Sequence, residues 1–137
     1  LLTMLNILML PKGYDYKFSE YLHSDEIHCK CSYKTCHYTL VSSDAIDAFL
    51  KTRIEAGIVL RINSFFRCQK HGIAVGSVEH SSHSTGHAID ISTRGFTGLE
   101  VEALIAIAKK HFDYVQVYDS FIHCQINPAE KEGGHCG

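Results

Sequence analysis

Two short segments of this chain alternate apolar and polar residues and carry side chains that can bind a metal. In Ala88-Ile89-Asp90-Ile91-Ser92 the isoleucines alternate with polar residues, which is typical of a β-strand with one buried face. The segment 121–126 has the same period, which buries its two isoleucines and the cysteine between them. Asp90 and His123 therefore point away from the core, and we expect them to lie on one face of a sheet.

A second histidine precedes the first of these segments. Gly86 allows the backbone to turn, so that His83 can fold back beside Asp90. His83, Asp90 and His123 offer two imidazoles and one carboxylate, and three protein ligands with one open position are typical of catalytic zinc. The sequence therefore predicts one catalytic Zn²⁺ at these residues. The alternative is a surface His–Asp hairpin and an unrelated strand histidine.

The spacing of these residues resembles a family signature. The motif is Ser81-x-His83-x-x-Gly86-x-Ala88-x-Asp90. It resembles that of the zinc D-alanyl-D-alanine carboxypeptidase family, which includes phage L-alanyl-D-glutamate endolysins and, more distantly, the hedgehog signalling domain. Three further segments are similar to the family in the same order: Ser64-Phe65-Phe66-Arg67-Cys68, His71-Gly72-Ile73-Ala74-Val75-Gly76 and Tyr118-Asp119-Ser120-Phe121-Ile122-His123. Several motifs in order are more specific than any one of them, and together they span roughly residues 18–127.

The resemblance implies a zinc peptidase that hydrolyses the stem peptides of bacterial peptidoglycan. D,D-carboxypeptidases and L-alanyl-D-glutamate endopeptidases share such a centre, and the small size resembles a phage lytic enzyme or a small bacterial carboxypeptidase. The implied substrate places the protein at the cell wall, as a phage-encoded, periplasmic or secreted enzyme. The hedgehog relationship leaves open a non-catalytic, zinc-bearing module that binds the cell wall, or a structural virion component of the same fold.

The resemblance also implies substrate-binding residues. Arg67 matches the arginine with which carboxypeptidase-type relatives hold the substrate, and a guanidinium can bind a carboxylate through two hydrogen bonds. The alternative role of Arg67 is structural, in a pair with a backbone carbonyl. Ser81, the second residue that we expect at the substrate, is expected to form hydrogen bonds in the ligand loop.

Asp119 is the candidate general base, because it ends a predicted strand four residues before His123 on the same hairpin. Aspartate is also common in turns, and a general base must reach the proton that it accepts. Many relatives place their acid three residues before the last histidine, where this chain has Ser120, and hedgehog-like members have a histidine where this chain has Phe121. The candidates that remain for an oxyanion stabiliser are Tyr118, His80 and His87.

The composition fits a single globular domain over residues 1–137. The chain is 45% hydrophobic and 20% charged, and its net charge of −2 does not suggest the basic surface of a nucleic-acid-binding protein. The apolar segment 1–10 has no basic residue and is too short to span a bilayer. We therefore expect a monomer whose partner is the peptidoglycan stem peptide and neither nucleic acid nor membrane. Residues 1–17 and 128–137 are expected to be peripheral.

The six cysteines leave two possibilities open. Cys29, Cys31 and Cys36 lie close together between His28 and His37, which fits a second, structural zinc ion, although the spacing is not that of a standard zinc finger. Disulfides or free thiols are the alternative, and the connectivity of disulfides does not follow from the sequence.

Two helices are predicted. The first runs from about Ser43 to Ala56 and ends at Gly57, and the second runs from about Gly98 to Phe112. The second helix begins with a capping box formed by Thr97 and Glu100. The apolar stripe of the first helix consists of Ile46, Phe49, Leu50 and Ile54.

The remaining pattern predicts four strands, at 58–62, 88–92, 114–118 and 121–126, and a short helix near 69–74. This order indicates an α+β fold, with helices on one face of a small, mostly antiparallel sheet and the zinc site on the opposite face. The resemblance implies the same arrangement, which is that of hedgehog-like D,D-peptidases.

Overall fold

A computed structural model describes residues 2–4, 6–33, 36–75 and 82–127. In these ranges the fold is α+β, and every sheet is antiparallel, as predicted. The strands, in chain order, are β1 Leu2–Met4, β2 Ile7–Pro11, β3 Lys17–Ser19, β4 Leu22–His23, β5 Tyr38–Ser42, β6 Ile62–Ser64, β7 Ala88–Ser92, β8 Tyr114–Val117 and β9 Phe121–Gln125. The helices are α1 Ser43–Ala56, α2 Gln69–Ala74 and α3 Gly98–His111, with 3₁₀ turns at Ser24–Glu26 and Ser82–Thr85.

The four-stranded sheet has the order β6-β7-β9-β8 and positions the predicted metal ligands. Asp90 on β7 lies directly opposite His123 on β9, and Ile91 lies opposite Ile122. The isoleucines of both strands are fully buried in a core shared with Phe49 of α1. Because side chains alternate along a strand, Asp90 and His123 lie on the other face of the sheet.

The first helix begins and ends where the sequence predicts. The Ser42 hydroxyl accepts a hydrogen bond of 3.2 Å from the backbone N–H of Ala45, and Gly57 ends the helix in the left-handed conformation at φ 69°. The predicted stripe is wrong at Ile54, which is 62% exposed. The buried face instead turns towards Ala45 and Ala48, where small side chains allow close packing.

The second long helix, α3, has the predicted capping box. The Thr97 side chain accepts from the N–H of Glu100, and the Glu100 carboxylate accepts from the N–H of Thr97. Helix α3 packs against α1, and its buried Leu104 and Ala108 join the same core. Both long helices therefore cover the face of the sheet that does not carry Asp90.

The strand predicted at 58–62 is wrong over most of its length. The structure has a strand only at Ile62–Ser64, and the preceding Val59 is 76% exposed. Leu60 is buried, as expected, but Ile58 is exposed. The β-branched residues of this segment favour extended backbone. A strand also needs a neighbouring strand to pair with, and the local sequence does not specify that neighbour.

Residues 7–11, which we expected to be peripheral together with the rest of 1–17, instead form the middle strand of a three-stranded sheet. Strand β2 pairs with β1 and with β5, and its Leu10 is buried. Since β5 leads directly into α1, this sheet fixes the start of that helix. Among the described residues, no helix is both long and apolar enough to cross a membrane.

Gly86 has the positive φ, 76°, that its role in the turn after His83 requires. A Cβ atom at this position would overlap the carbonyl oxygen of Leu40 and the Cα of Val41, and would lie 2.6 Å from the carbonyl carbon of Leu40. The glycine therefore lets the ligand turn pack directly on β5, where the Gly86 carbonyl accepts a hydrogen bond of 2.9 Å from the N–H of Ser42.

Gly86→Ala should lower the free energy of unfolding by about 2–5 kcal/mol, because the strained φ costs about 1–2 kcal/mol and the overlap with β5 about 1–3 kcal/mol more. Urea denaturation measures this loss. Gly95→Ala is the matched control, since Gly95 has φ 85° but no atom within 4 Å of the added Cβ. Equal losses in the two variants would contradict the close packing of Gly86 on β5.

Candidate metal centre

Three elements bring His83, Asp90 and His123 together. His83 lies in the 3₁₀ turn Ser82–Thr85, while Asp90 and His123 face each other across β7 and β9. One ligand atom from each residue lies within 4.8 Å of those of the other two. All three side chains are at least largely buried, so the cluster is a formed site and not a chance meeting of surface groups.

The hydrogen bonds of His83 determine which nitrogen faces Asp90. Its Nδ1 lies 2.8 Å from the carbonyl oxygen of Phe65, which can only accept, so Nδ1 carries the proton. A neutral His83 therefore directs the lone pair of Nε2 towards Oδ1 of Asp90, at 3.2 Å. A backbone carbonyl on the far nitrogen is a common way to orient a metal-binding histidine.

His123 is oriented in the same manner by Gln125. The Nε2 of His123 lies 3.1 Å from Oε1 of Gln125, which also accepts from the hydroxyl of Ser82 at 2.9 Å. The amide nitrogen of Gln125 donates to Asn127, which fixes the orientation of the amide. His123 therefore donates from Nε2, and its Nδ1 faces Oδ1 of Asp90 at 3.0 Å.

Three electron-pair donors thus converge on one point. Imidazole nitrogens that carry lone pairs cannot hydrogen-bond an ionised carboxylate, so this close approach is satisfied either by a metal cation between the three groups or, without a metal, by imidazole N–H groups that donate to Asp90. Nitrogen and oxygen ligands of this kind suit Zn²⁺, and three of them leave room for a fourth ligand. The donor set of His83, Asp90 and His123 therefore fits the predicted metal.

In the metal-free cluster, imidazole N–H groups that donate to Asp90 replace the cation. Burial opposes ionisation of Asp90, but hydrogen bonds from His123 and His83 outweigh it and lower the pKa of the carboxyl to about 2. Burial also disfavours the charged form of His123, but its hydrogen bond to Asp90 outweighs burial and raises the pKa of the imidazole. Asp90 is therefore an ionised carboxylate at neutral pH, as a zinc ligand must be.

The structure places Arg67 beside these three residues. Its Nη2 lies 3.7 Å from Oδ2 of Asp90, the oxygen that faces away from the histidines, and donates to the Ser64 hydroxyl at 2.9 Å. Arg67 lies two residues after Phe65, whose carbonyl orients His83. One short segment therefore supplies both the contact with His83 and the contact with Asp90. The guanidinium thus adds positive charge at the edge of the candidate site.

Asp119 does not join the cluster. It is exposed at the tip of the β8–β9 hairpin, where the N–H of Tyr118 donates to the carbonyl of Phe121 at 2.9 Å. Because His123 pairs with Gln116, the tip lies about three residues along the strand, or roughly 10 Å, from His123.

Two other residues named from the sequence, Ser81 and His80, lie outside the described residues. The oxyanion candidate His87 is buried beside Thr85, whose hydroxyl lies 2.8 Å from its Nδ1, and Tyr118 stacks on Phe121 at 4.6 Å between ring centroids.

Sequence reasoning missed two residues on the same face of the sheet. Gln125 orients His123, and the ring of Tyr114 lies 6.3 Å from that of His123. The period of two along β9 contained the signal for Gln125, since it lies two residues after His123. Tyr114 follows only from the pairing of β8 with β9, in which it lies opposite Gln125.

The chain was compared with known proteins and protein families. No curated protein and no solved structure matches it. Residues 20–125 match a family model described as Peptidase M15. This range is more than half of the chain and contains Arg67 and all three members of the candidate metal centre. The chain therefore belongs to the peptidase M15 family, that of the zinc D-alanyl-D-alanine carboxypeptidases.

Proposed function

We propose that this protein is a zinc-dependent peptidase that hydrolyses the stem peptides of peptidoglycan, as a D,D-carboxypeptidase or an L-alanyl-D-glutamate endopeptidase. The family supports a hydrolase with this class of substrate. The observation that carries the proposal is the convergence of His83, Asp90 and His123, each with its donor atom directed at the same point.

His83 through Nε2, His123 through Nδ1 and Asp90 through its carboxylate are the residues that would hold the metal. When bound, zinc would act as a Lewis acid, which lowers the pKa of a water molecule and polarises a carbonyl oxygen. The Phe65 carbonyl and Gln125 keep the two imidazoles in the correct tautomer and orientation, which preserves their lone pairs for the metal.

Arg67 is proposed to bind a carboxylate of the substrate, which is the C-terminal D-alanine in one reaction and D-glutamate in the other. The guanidinium is close enough to the centre to hold a peptide whose scissile carbonyl lies at the metal. Its Nη2 also lies 3.7 Å from Oδ2 of Asp90, which places a positive charge beside that carboxylate.

Arg67→Lys should raise KM and lower kcat/KM by an amount equivalent to about 1–3 kcal/mol, because lysine keeps the charge but cannot form two parallel hydrogen bonds. Steady-state kinetics on a stem peptide measure both constants. Arg53→Lys, on helix α1, is the matched control and should leave KM unchanged. An Arg67→Lys enzyme with parental KM would remove Arg67 from substrate binding.

Asp119 is proposed as the general base that accepts a proton from the attacking water and passes it to the leaving amine. The hairpin tip carries it on the strand pair that holds His123. The hairpin tip lies roughly 10 Å from His123, so it would have to move towards the centre when substrate binds for the carboxylate to reach the attacking water.

A zinc-bearing module without catalysis is the second candidate, and the exposed position of Asp119 favours it. Such a module would bind the cell wall through the same face and leave the stem peptide intact. The two candidates share the metal and differ only in turnover.

Incubation of the zinc-loaded protein with purified peptidoglycan separates the two candidates. Mass spectrometry of the soluble products should show free D-alanine from a D,D-carboxypeptidase, or fragments cut between L-alanine and D-glutamate from an endopeptidase. Intact stem peptides after incubation with protein that retains its zinc would contradict the enzyme and leave the binding module.

A further inference from the structure

A second cluster of metal-binding side chains lies outside the candidate metal centre. Cys29, Cys31 and Cys36 come from the largely irregular segment after the first 3₁₀ turn, and Cys68 follows β6. All four sulfur atoms lie within 4.8 Å of one another. Sequence spacing suggested the first three, whereas Cys68 is joined to them only by the fold.

The separation of the sulfur atoms fits a metal better than a disulfide. The Sγ atoms of Cys31 and Cys68 are 3.7 Å apart, whereas a disulfide requires about 2.05 Å. Four thiolates around a tetrahedral zinc, at about 2.3 Å each, place their sulfurs about 3.8 Å from one another. The distance between Cys31 and Cys68 is therefore that of two ligands of a common ion, and the other sulfurs lie within 4.8 Å.

Hydrogen-bond donors surround these sulfurs. The backbone N–H of Cys68 points at Sγ of Cys29 at 3.3 Å, and that of His71 points at Sγ of Cys68 at 3.4 Å. The ammonium group of Lys12 lies 3.3 Å from Sγ of Cys31 and 2.7 Å from its carbonyl oxygen. Four thiolates leave a zinc site with net negative charge, and these donors offset it.

The neighbouring histidine is not a ligand. Both ring nitrogens of His28 have other partners, since Nδ1 contacts the Thr39 hydroxyl and Nε2 lies 2.9 Å from the carbonyl oxygen of Tyr14. Cys124 is fully buried in the core on β9 and is not a member of the cluster. Sulfur alone thus completes the coordination.

We propose that Cys29, Cys31, Cys36 and Cys68 bind a second zinc ion, which is structural. Four protein ligands close the coordination sphere, so this ion has no position for substrate. It would join two segments that also meet through the 3.0 Å hydrogen bond from the Phe66 N–H to the Ile27 carbonyl. It also anchors residues 65–68, which orient His83 and contain Arg67.

Zinc content measured on protein purified with reductant and without chelator tests the proposal. The parent should hold two zinc ions per chain, His123→Ala one, and Cys68→Ser one. Cys124→Ala is the matched control and should hold two. A Cys68→Ser protein that folds and still holds two ions would overturn the proposal, as would a parent that holds only one ion and loses it in His123→Ala.

Cobalt substitution in His123→Ala decides the matter if Cys68→Ser does not fold. Co²⁺ bound by thiolates gives intense thiolate-to-metal charge-transfer absorption, which nitrogen and oxygen ligands do not give. We expect this band in His123→Ala. Its absence, or alkylation under denaturing conditions that finds the four cysteines in disulfides, would refute the second zinc. Neither result depends on peptidase activity, so this proposal can fail while the proposed function stands.

Discussion

His123→Ala should abolish hydrolysis of stem peptides and remove one zinc ion per chain. Alanine leaves only His83 and Asp90 at the metal centre. Loss of an outer partner of a ligand typically costs about 10–100-fold in metal affinity, and loss of a ligand costs more. The fold should survive, because His123 lies on the face of the sheet opposite the core. Zinc analysis, product release and circular dichroism measure the three quantities.

The control for this variant is His111→Ala. His111 ends helix α3 and pairs with Glu55 on α1, on the helical side of the sheet. This variant should keep parental activity and zinc. Full activity in His123→Ala, with a native circular dichroism spectrum, would show that the metal centre has been assigned to the wrong residues.

Asp119→Asn should lower turnover about 10²–10⁴-fold, which is the usual contribution of a general base, and leave zinc bound. Asparagine keeps the shape and hydrogen bonding of the turn residue but cannot accept the proton. Zinc should stay bound because Asp119 is exposed at the hairpin tip, roughly 10 Å from His123. The kinetic effect should appear in kcat, since a general base acts in the chemical step. Single-turnover kinetics with zinc analysis of the same sample measure both effects.

Asp47→Asn provides the comparison for Asp119→Asn, since Asp47 lies on helix α1 in an exposed pair with Lys51. It should leave turnover unchanged. Near-parental turnover in Asp119→Asn would transfer the role of base to another group. Loss of zinc together with turnover would make Asp119 a support for a ligand.

The parts of the fold that the sequence predicts well depend on local signals. The Ser42 cap and Gly57 set the ends of α1, and the capping box of Thr97 begins α3, because these interactions lie within one turn of helix. The alternation around Asp90 likewise predicts β7, since a one-sided core imposes a period of two.

The parts that the sequence does not predict depend on pairing between distant segments. Strand β2 is a strand because β5 lies beside it, some thirty residues along the chain, and no local feature of 7–11 names that partner. Cys68 reaches the other three cysteines through the fold alone, which is why the spacing identified three members of the cluster and not four.

The sequence predicted which residues form the candidate metal centre, but not their tautomers or their distances from other residues. The sequence predicted that His83, Asp90 and His123 lie together, and their ligand atoms lie within 4.8 Å of one another in the structure. The tautomers depend on Phe65 and Gln125, whose carbonyl oxygens reach the histidines only after β6, β7 and β9 have paired. The separation between Asp119 and His123 also follows from hairpin register and not from spacing.

Diffraction from crystals of the zinc-loaded protein, recorded on both sides of the zinc absorption edge, tests whether zinc binds at these three residues. We expect an anomalous difference peak about 2.0–2.2 Å from Nε2 of His83, Nδ1 of His123 and a carboxylate oxygen of Asp90. Zinc found only elsewhere in the molecule, with these three side chains directed apart, would contradict it.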